Sequence, residues 1–236
     1  MKYLTIGNAK TTKGEAIGYL TGILYLAPSD TSGVANVCAH ASVGCKAACL
    51  NTAGRAAMFP MILEARKRKT RELFADRQSF MRELAKDISS LERKAKRLGL
   101  IPCIRVNGTS DLPWLAHAMA LQFPEVQFYD YTKHPRPWDR TLPNYHLTFS
   151  YSEVNLEDSL EALRHGVNVA VVFGIAKSKP LPDAWQGFPV VNGDETDLRF
   201  LDAKGCVIGL HAKGRAKQDC TGFVVRDASA KLVQIG

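Results

Sequence analysis

Two spacings of apolar residues divide the chain. From Ile17 to Leu26 the run Ile-Gly-Tyr-Leu-Thr-Gly-Ile-Leu-Tyr-Leu is apolar and rich in β-formers. It stops at Pro28 and a Ser-Asp-Thr-Ser-Gly cluster, which predicts a strand and then a loop. Between about Pro60 and Leu98 the period turns helical. Phe80, Leu84, Ile88, Leu91 and Ala95 fall three or four apart and make one apolar stripe. Gly99 is the expected stop, and Asp76 is placed to break the region into two helices. Beyond Gly99 the runs become short and end in polar residues. Ile101–Val106 leads to Asn107-Gly108-Thr109-Ser110-Asp111, Val126–Tyr129 to Asp130-Tyr131-Thr132-Lys133, and Tyr145–Phe149 to Ser150-Tyr151-Ser152-Glu153. Val167–Phe173, Val190-Val191 and Val207–Leu210 continue the series. Helical stretches near Trp114–Phe123 and Leu156–His165 fill two of the gaps.

Strands that alternate with helices imply right-handed crossovers and a mainly parallel sheet. The expected fold is therefore α/β: one domain over residues 1–236, built as a partial or complete (βα) barrel. In such sheets ligands bind outside the carboxyl ends of the strands. The recurring polar clusters sit where that rule puts a site. Asp130 and Lys133 are candidates there for an acid–base pair or for substrate contacts.

Composition narrows the classes. An apolar share of 46% supports a packed core. No run approaches the length of a membrane span and no secretory signal is visible, so a cytoplasmic protein is expected. The net charge of +8 favours an anionic partner, and it is unevenly placed. Between Arg55 and Gly99 stand thirteen Lys/Arg and six Asp/Glu, a surplus of +7. The densest run is Arg66-Lys67-Arg68-Lys69-Thr70-Arg71. Read functionally, this region contacts the phosphates of a nucleotide or nucleic acid; read structurally, it is a solvated face paired with Glu64, Glu72 and Asp76.

The sharpest chemical feature is the loop at 37–55. Cys38, Cys45 and Cys49 fall within twelve residues, whereas Cys103, Cys206 and Cys220 are scattered. In a reducing compartment such a cluster points to metal or chemistry rather than disulfides. Three readings stand side by side: tetrahedral zinc with His40 as fourth ligand, an iron–sulfur cluster held by three cysteines, and three unligated thiols. Asp194, Glu195 and Asp197 form an acidic trio that would suit a divalent cation in a nuclease, or a solvated turn with an ion pair to Arg199. His211 and Lys213 follow a late strand.

The runs "GCKAACLNTAGR", "VNGTSDLPW", "FYDYTK", "LTFSYSE" and "NGDETDLRFLD" resemble a phage-associated family, the "gene product eighty-eight" domain, over about Gly18 to Phe223. More distantly, the cysteine loop after a first strand resembles radical S-adenosylmethionine enzymes. Their usual spacing is Cys-x3-Cys-x2-Cys, where this chain has Cys-x6-Cys-x3-Cys. A phage-borne branch of that superfamily is similar in its six-residue first gap, in a glycine before the second cysteine (Gly44-Cys45) and in a Ser-Asp after the next strand (Ser110-Asp111).

The second resemblance implies that Cys38, Cys45 and Cys49 ligate a [4Fe–4S] cluster whose fourth iron chelates S-adenosylmethionine. It implies a cofactor amino-group site near Asn107, Ser110 and Asp111, with Ser150, Ser152 and Glu153 toward the ribose or carboxylate. The leading expectation is thus an iron–sulfur enzyme modifying a nucleotide or nucleic acid. The alternatives are a non-enzymatic nucleic-acid-binding protein with a structural zinc or metal-free loop, and a metal-dependent nuclease.

Overall fold

The computed structural model describes residues 1–7 and 9–226. The strands are β1 (Leu4–Thr5), β2 (Tyr19–Leu24), β3 (Ile101–Arg105), β4 (Gln127–Thr132), β5 (Tyr145–Ser150), β6 (Val169–Phe173), β7 (Ala184–Trp185), β8 (Phe188–Asn192), β9 (Val207–His211) and β10 (Val224–Val225). The helices are α1 (Ala9–Glu15), α2 (Val43–Ala47), α3 (Gly54–Met58), α4 (Pro60–Ala75), α5 (Arg77–Leu98), α6 (Pro113–Gln122) and α7 (Leu156–Arg164). All six strands expected from the sequence after Gly99, and the one before Pro28, lie within a few residues of their expected bounds.

Asp76 does divide the long helical region. Its carboxylate caps α5 by accepting from the Ser79 N–H at 2.9 Å. Gly99 ends α5 in the left-handed conformation at φ 66°, which costs glycine nothing. The stripe of Phe80, Leu84, Ile88, Leu91 and Ala95 is buried throughout. It packs with Leu20, Leu24, Ile104 and Phe128 into the largest apolar cluster.

The strands form one ten-stranded sheet in the order β1-β2-β3-β4-β5-β6-β9-β8-β7, and β10 pairs with β6 off that path. From β2 to β8 every neighbouring pair is parallel, and β1 and β7 join antiparallel at the two ends. The sheet is not closed, so the expectation of a complete barrel is corrected: short antiparallel strands occupy both edges, where closure would need β2 and β8 to pair. Among the described residues no helix is long and apolar enough to cross a membrane.

Alternation along each strand sorts residues between two faces. In β3 and β4, Ile104 and Phe128 join the cluster under α4, α5 and α6. Cys103 and Tyr129 point the other way, onto Leu198 and Phe200 of the segment that follows β8. On this second face, Ala170 and Ile208 pack with Tyr131 and Leu210.

The sheet forks at β6. Its first half pairs with β5 through Phe149–Val169 and Ser150–Ala170, and its second half with β10 through Val172–Val224 and Phe173–Val225. β5 therefore leaves the sheet at Ser150, and the chain near residue 223 fills the space.

Candidate functional site

A cavity of about 430 Å³ opens on the second face at the carboxyl ends of the parallel strands. Arg105, Tyr131, Ala170, Val172 and Leu210, from β3, β4, β6 and β9, form part of its wall. Cys38, Cys45 and Cys49 all line it. The size suits a small ligand, and the position is the one the parallel topology favours.

The cysteine loop is held from far along the chain. Ser42 caps the short helix α2, its hydroxyl oxygen accepting from the Cys45 N–H at 3.1 Å. The same hydroxyl donates to Glu153 Oε2 at 2.7 Å, and the Gly44 N–H donates to Glu153 Oε1 at 2.7 Å. Glu153 is thus a clamp on the cysteine loop, with both carboxylate oxygens engaged by it. On the other flank the Cys38 sulfur accepts from the Ser29 N–H at 3.4 Å and approaches the Thr109 carbonyl at 3.8 Å.

Burial pushes the Cys38 thiol up to about 11, against the pull of the Ser29 N–H, and Asp111, Cys49 and Cys45 add to the rise. Burial also raises Cys49, while the neighbouring Arg66 and Lys133 work against it. Thiols so placed stay protonated at neutral pH until a cation displaces the protons.

Among the described residues, no three His, Cys, Asp or Glu side chains are gathered to hold a metal ion. His40 does not line the cavity; its ring packs against His134 at 4.3 Å. That geometry bears on zinc and on an iron–sulfur cluster alike, since either needs its ligands together within bonding distance. Besides the three soft sulfurs of one loop, the donor type that iron–sulfur clusters use, the cavity is lined by Asp111, Asp194, Asp197 and His211.

The loop after β3 builds the next wall. Asn107 Oδ1 accepts from the Ser110 hydroxyl and the Leu112 N–H, both at 2.9 Å. Its Nδ2 donates to Asp130 Oδ2 at 3.0 Å, and its N–H donates to Asp130 Oδ1 at 2.7 Å. Asn107 and Ser110 therefore shape the loop while lining the cavity. Asp111 accepts from the Lys133 N–H at 2.7 Å, tying the ends of β3 and β4 together. Ser150 also lines the cavity, whereas Ser152 is fully buried behind it, with its N–H on Asn155 Oδ1.

Asp130 and Lys133 lie apart, Lys133 on the cavity wall and Asp130 buried. It shares the helix-covered face with Phe128 and is 1% exposed, so it supports the Asn107 loop from behind. Burial raises its carboxyl from 3.8 to about 7, against the opposing Arg105 and Asn107. A carboxyl whose folded value is raised favours the fold while protonated. That contribution is complete below about pH 4 and is lost as pH rises toward 7. Stability should therefore fall by on the order of 2 kcal/mol between pH 5 and pH 8 from this group. Asp130→Asn should flatten the fall, as read by urea unfolding at the two pH values. An unchanged slope would refute the assignment.

The acidic trio does not converge. Asp194 accepts from the His211 N–H at 3.1 Å and from Nδ1 at 2.9 Å, and it pairs with Lys213. Burial opposes its ionisation, yet Lys213 and His211 hold its carboxyl down at about 2. Glu195 accepts from Asn192 Nδ2. Asp197 pairs with Arg105 at 3.0 Å, and Arg199 pairs with Asp202 instead. Neighbours on a turn point in different directions, and each finds its own partner.

Much of the basic run has partners within the molecule, while Arg68 and Arg71 remain exposed. Arg66 donates to Asn51 and stacks on Tyr25; Lys69 donates to the Tyr3 carbonyl. Lys67 pairs with Glu64, Arg68 with Glu72, and Arg71 donates to the Ser32 carbonyl. Six consecutive residues on a helix spread around the whole axis and cannot share one face. The run therefore does not present all its charges on one continuous face.

Sequence reasoning missed the Arg105–Asp197 pair. Its signal is a lone arginine closing an otherwise uncharged strand.

No curated protein and no solved structure matches the chain. A family model described as Gene product 88 matches residues 2–226. The chain belongs to the Gene product 88 family.

Proposed function

We propose that the chain is an iron–sulfur enzyme of the radical S-adenosylmethionine type, acting on a small anionic substrate such as a nucleotide. One observation carries the reading: three thiols of a single loop line one cavity at the carboxyl ends of parallel strands. Cys38, Cys45 and Cys49 would hold the cluster. Bound there with S-adenosylmethionine, such a cluster supplies one-electron chemistry.

The chain's own residues do the positioning. Glu153 and Ser42 fix the turn that carries Cys45. The Asn107–Asp111 loop, braced on Asp130, walls the cavity beside Cys38. Ala170, Val172 and Leu210 give it an apolar side that limits water. Partners within the protein for the acidic trio and for much of the Arg66–Arg71 run weaken the support for the nuclease and nucleic-acid-binding readings.

Anaerobic reconstitution with iron and sulfide tests the proposal. Brown protein with absorbance near 400 nm is expected, and Cys45→Ala should abolish it. Protein that stays colourless after reconstitution would sink the reading.

A further inference from the structure

The cavity wall carries four cations outside histidine: Lys13, Arg105, Lys133 and Lys213. Three are answered within the protein. Lys213 pairs with Asp194, Lys13 donates to the Asp194 carbonyl, and Arg105 pairs with Asp197. Lys133 is not. Among the described residues no carboxylate oxygen lies within ion-pair distance of its ammonium, whose one aromatic neighbour is the Phe223 ring at 5.6 Å.

Its backbone is nonetheless fixed. The Lys133 N–H is held by Asp111 Oδ2 at 2.7 Å, so the side chain starts from a defined point at the end of β4. The same residue lines the cavity together with Cys49. A half-buried cation without a counter-charge costs stability. A fixed stem beside three thiols, in a cavity of ligand size, is what an anion anchor requires.

We propose that Lys133 anchors the anionic group, a phosphate or a carboxylate, of a small ligand held in this cavity. The role replaces acid–base partnership with Asp130, which faces the other side of the sheet. Ligand charge would meet Lys133 at the mouth, with the ligand body against Tyr151 and the apolar wall. The inference rests on the proposed function only in taking this cavity as the working one.

The test titrates the full chain at fixed ionic strength with inorganic phosphate and, separately, with acetate, following thermal unfolding. A saturable rise in melting temperature is expected with at least one of them. The anion that gives it identifies phosphate or carboxylate as the ligand chemistry. Lys133→Gln should raise the half-saturating concentration at least about tenfold, and Lys133→Arg should restore most of the response. Lys86→Gln, on the exposed side of α5, should leave it unchanged.

No saturable response to either anion would overturn the proposal. So would equal responses from Lys133→Gln and the parent, or equal weakening by Lys86→Gln. Iron uptake is read separately by absorbance, so loss of the cluster reading and loss of the anion site are distinguishable.

Discussion

A single methyl group placed on Gly44 is expected to lower stability by about 2–3 kcal/mol and to prevent iron uptake. A Cβ there would lie 2.2 Å from Thr221 Oγ1, 2.7 Å from Phe223 Cβ and 2.9 Å from Glu153 Oε1. None of the three can yield cheaply. The Thr221 hydroxyl is bonded to Asp219, the Phe223 Cβ is fixed by its backbone beside β10, and Glu153 is bonded to the loop itself. The loop must therefore move outward and carry Cys45 with it. Gly44→Ala should melt roughly 5–10 °C below the parent chain and give little absorbance near 400 nm after reconstitution. Normal melting with normal iron uptake would show that the packing around Gly44 does not set the loop.

The second large effect is at Arg105. Its side chain is 5% exposed and that of Asp197 14%, so the pair is largely withdrawn from water. The guanidinium also covers the Tyr131 ring at 4.5 Å. Arg105→Met removes one charge of the pair and leaves the largely buried carboxylate without this partner, which typically costs about 3–5 kcal/mol. Adding Asp197→Leu removes that carboxylate, and the double variant should recover much of the loss. Chemical denaturation of the two single variants and the double variant closes the cycle. A double variant less stable than Arg105→Met alone would mean that Asp197 matters for other contacts more than for this pair.

The main elements were legible because their periods are clean. Phe80 to Ala95 repeats at helical spacing with a carboxylate before it and a glycine after it. The strand runs end in polar clusters that coincide with loop starts. Three thiols within twelve residues marked the cysteine loop as a candidate, and all three line the cavity. What the sequence concealed is pairing across distance. Glu153 stands beside Ser152 in a polar cluster that suggests a ligand site, but its partners are Ser42 and Gly44, 111 and 109 residues away. Asp194 and Asp197 are near neighbours in the chain, yet one answers His211 and Lys213 and the other Arg105. The side of the sheet occupied by Asp130 follows from strand register, which a polar run at a strand end does not define.

The long reach of that clamp sets an order of events during synthesis. Cys38, Cys45 and Cys49 leave the ribosome well before Glu153, and earlier still than Thr221 and Phe223, which close over Gly44. At ordinary elongation rates the interval to Thr221 is roughly 10–30 s. For the first part of that interval Glu153 does not yet restrain the thiols, and throughout it the fork at β6 is incomplete. A nascent chain thus offers its three sulfurs to its surroundings in an open form that the finished fold no longer presents. Factors that capture or oxidise thiols have their easiest access then, and slow translation through the middle of the message would lengthen the exposure.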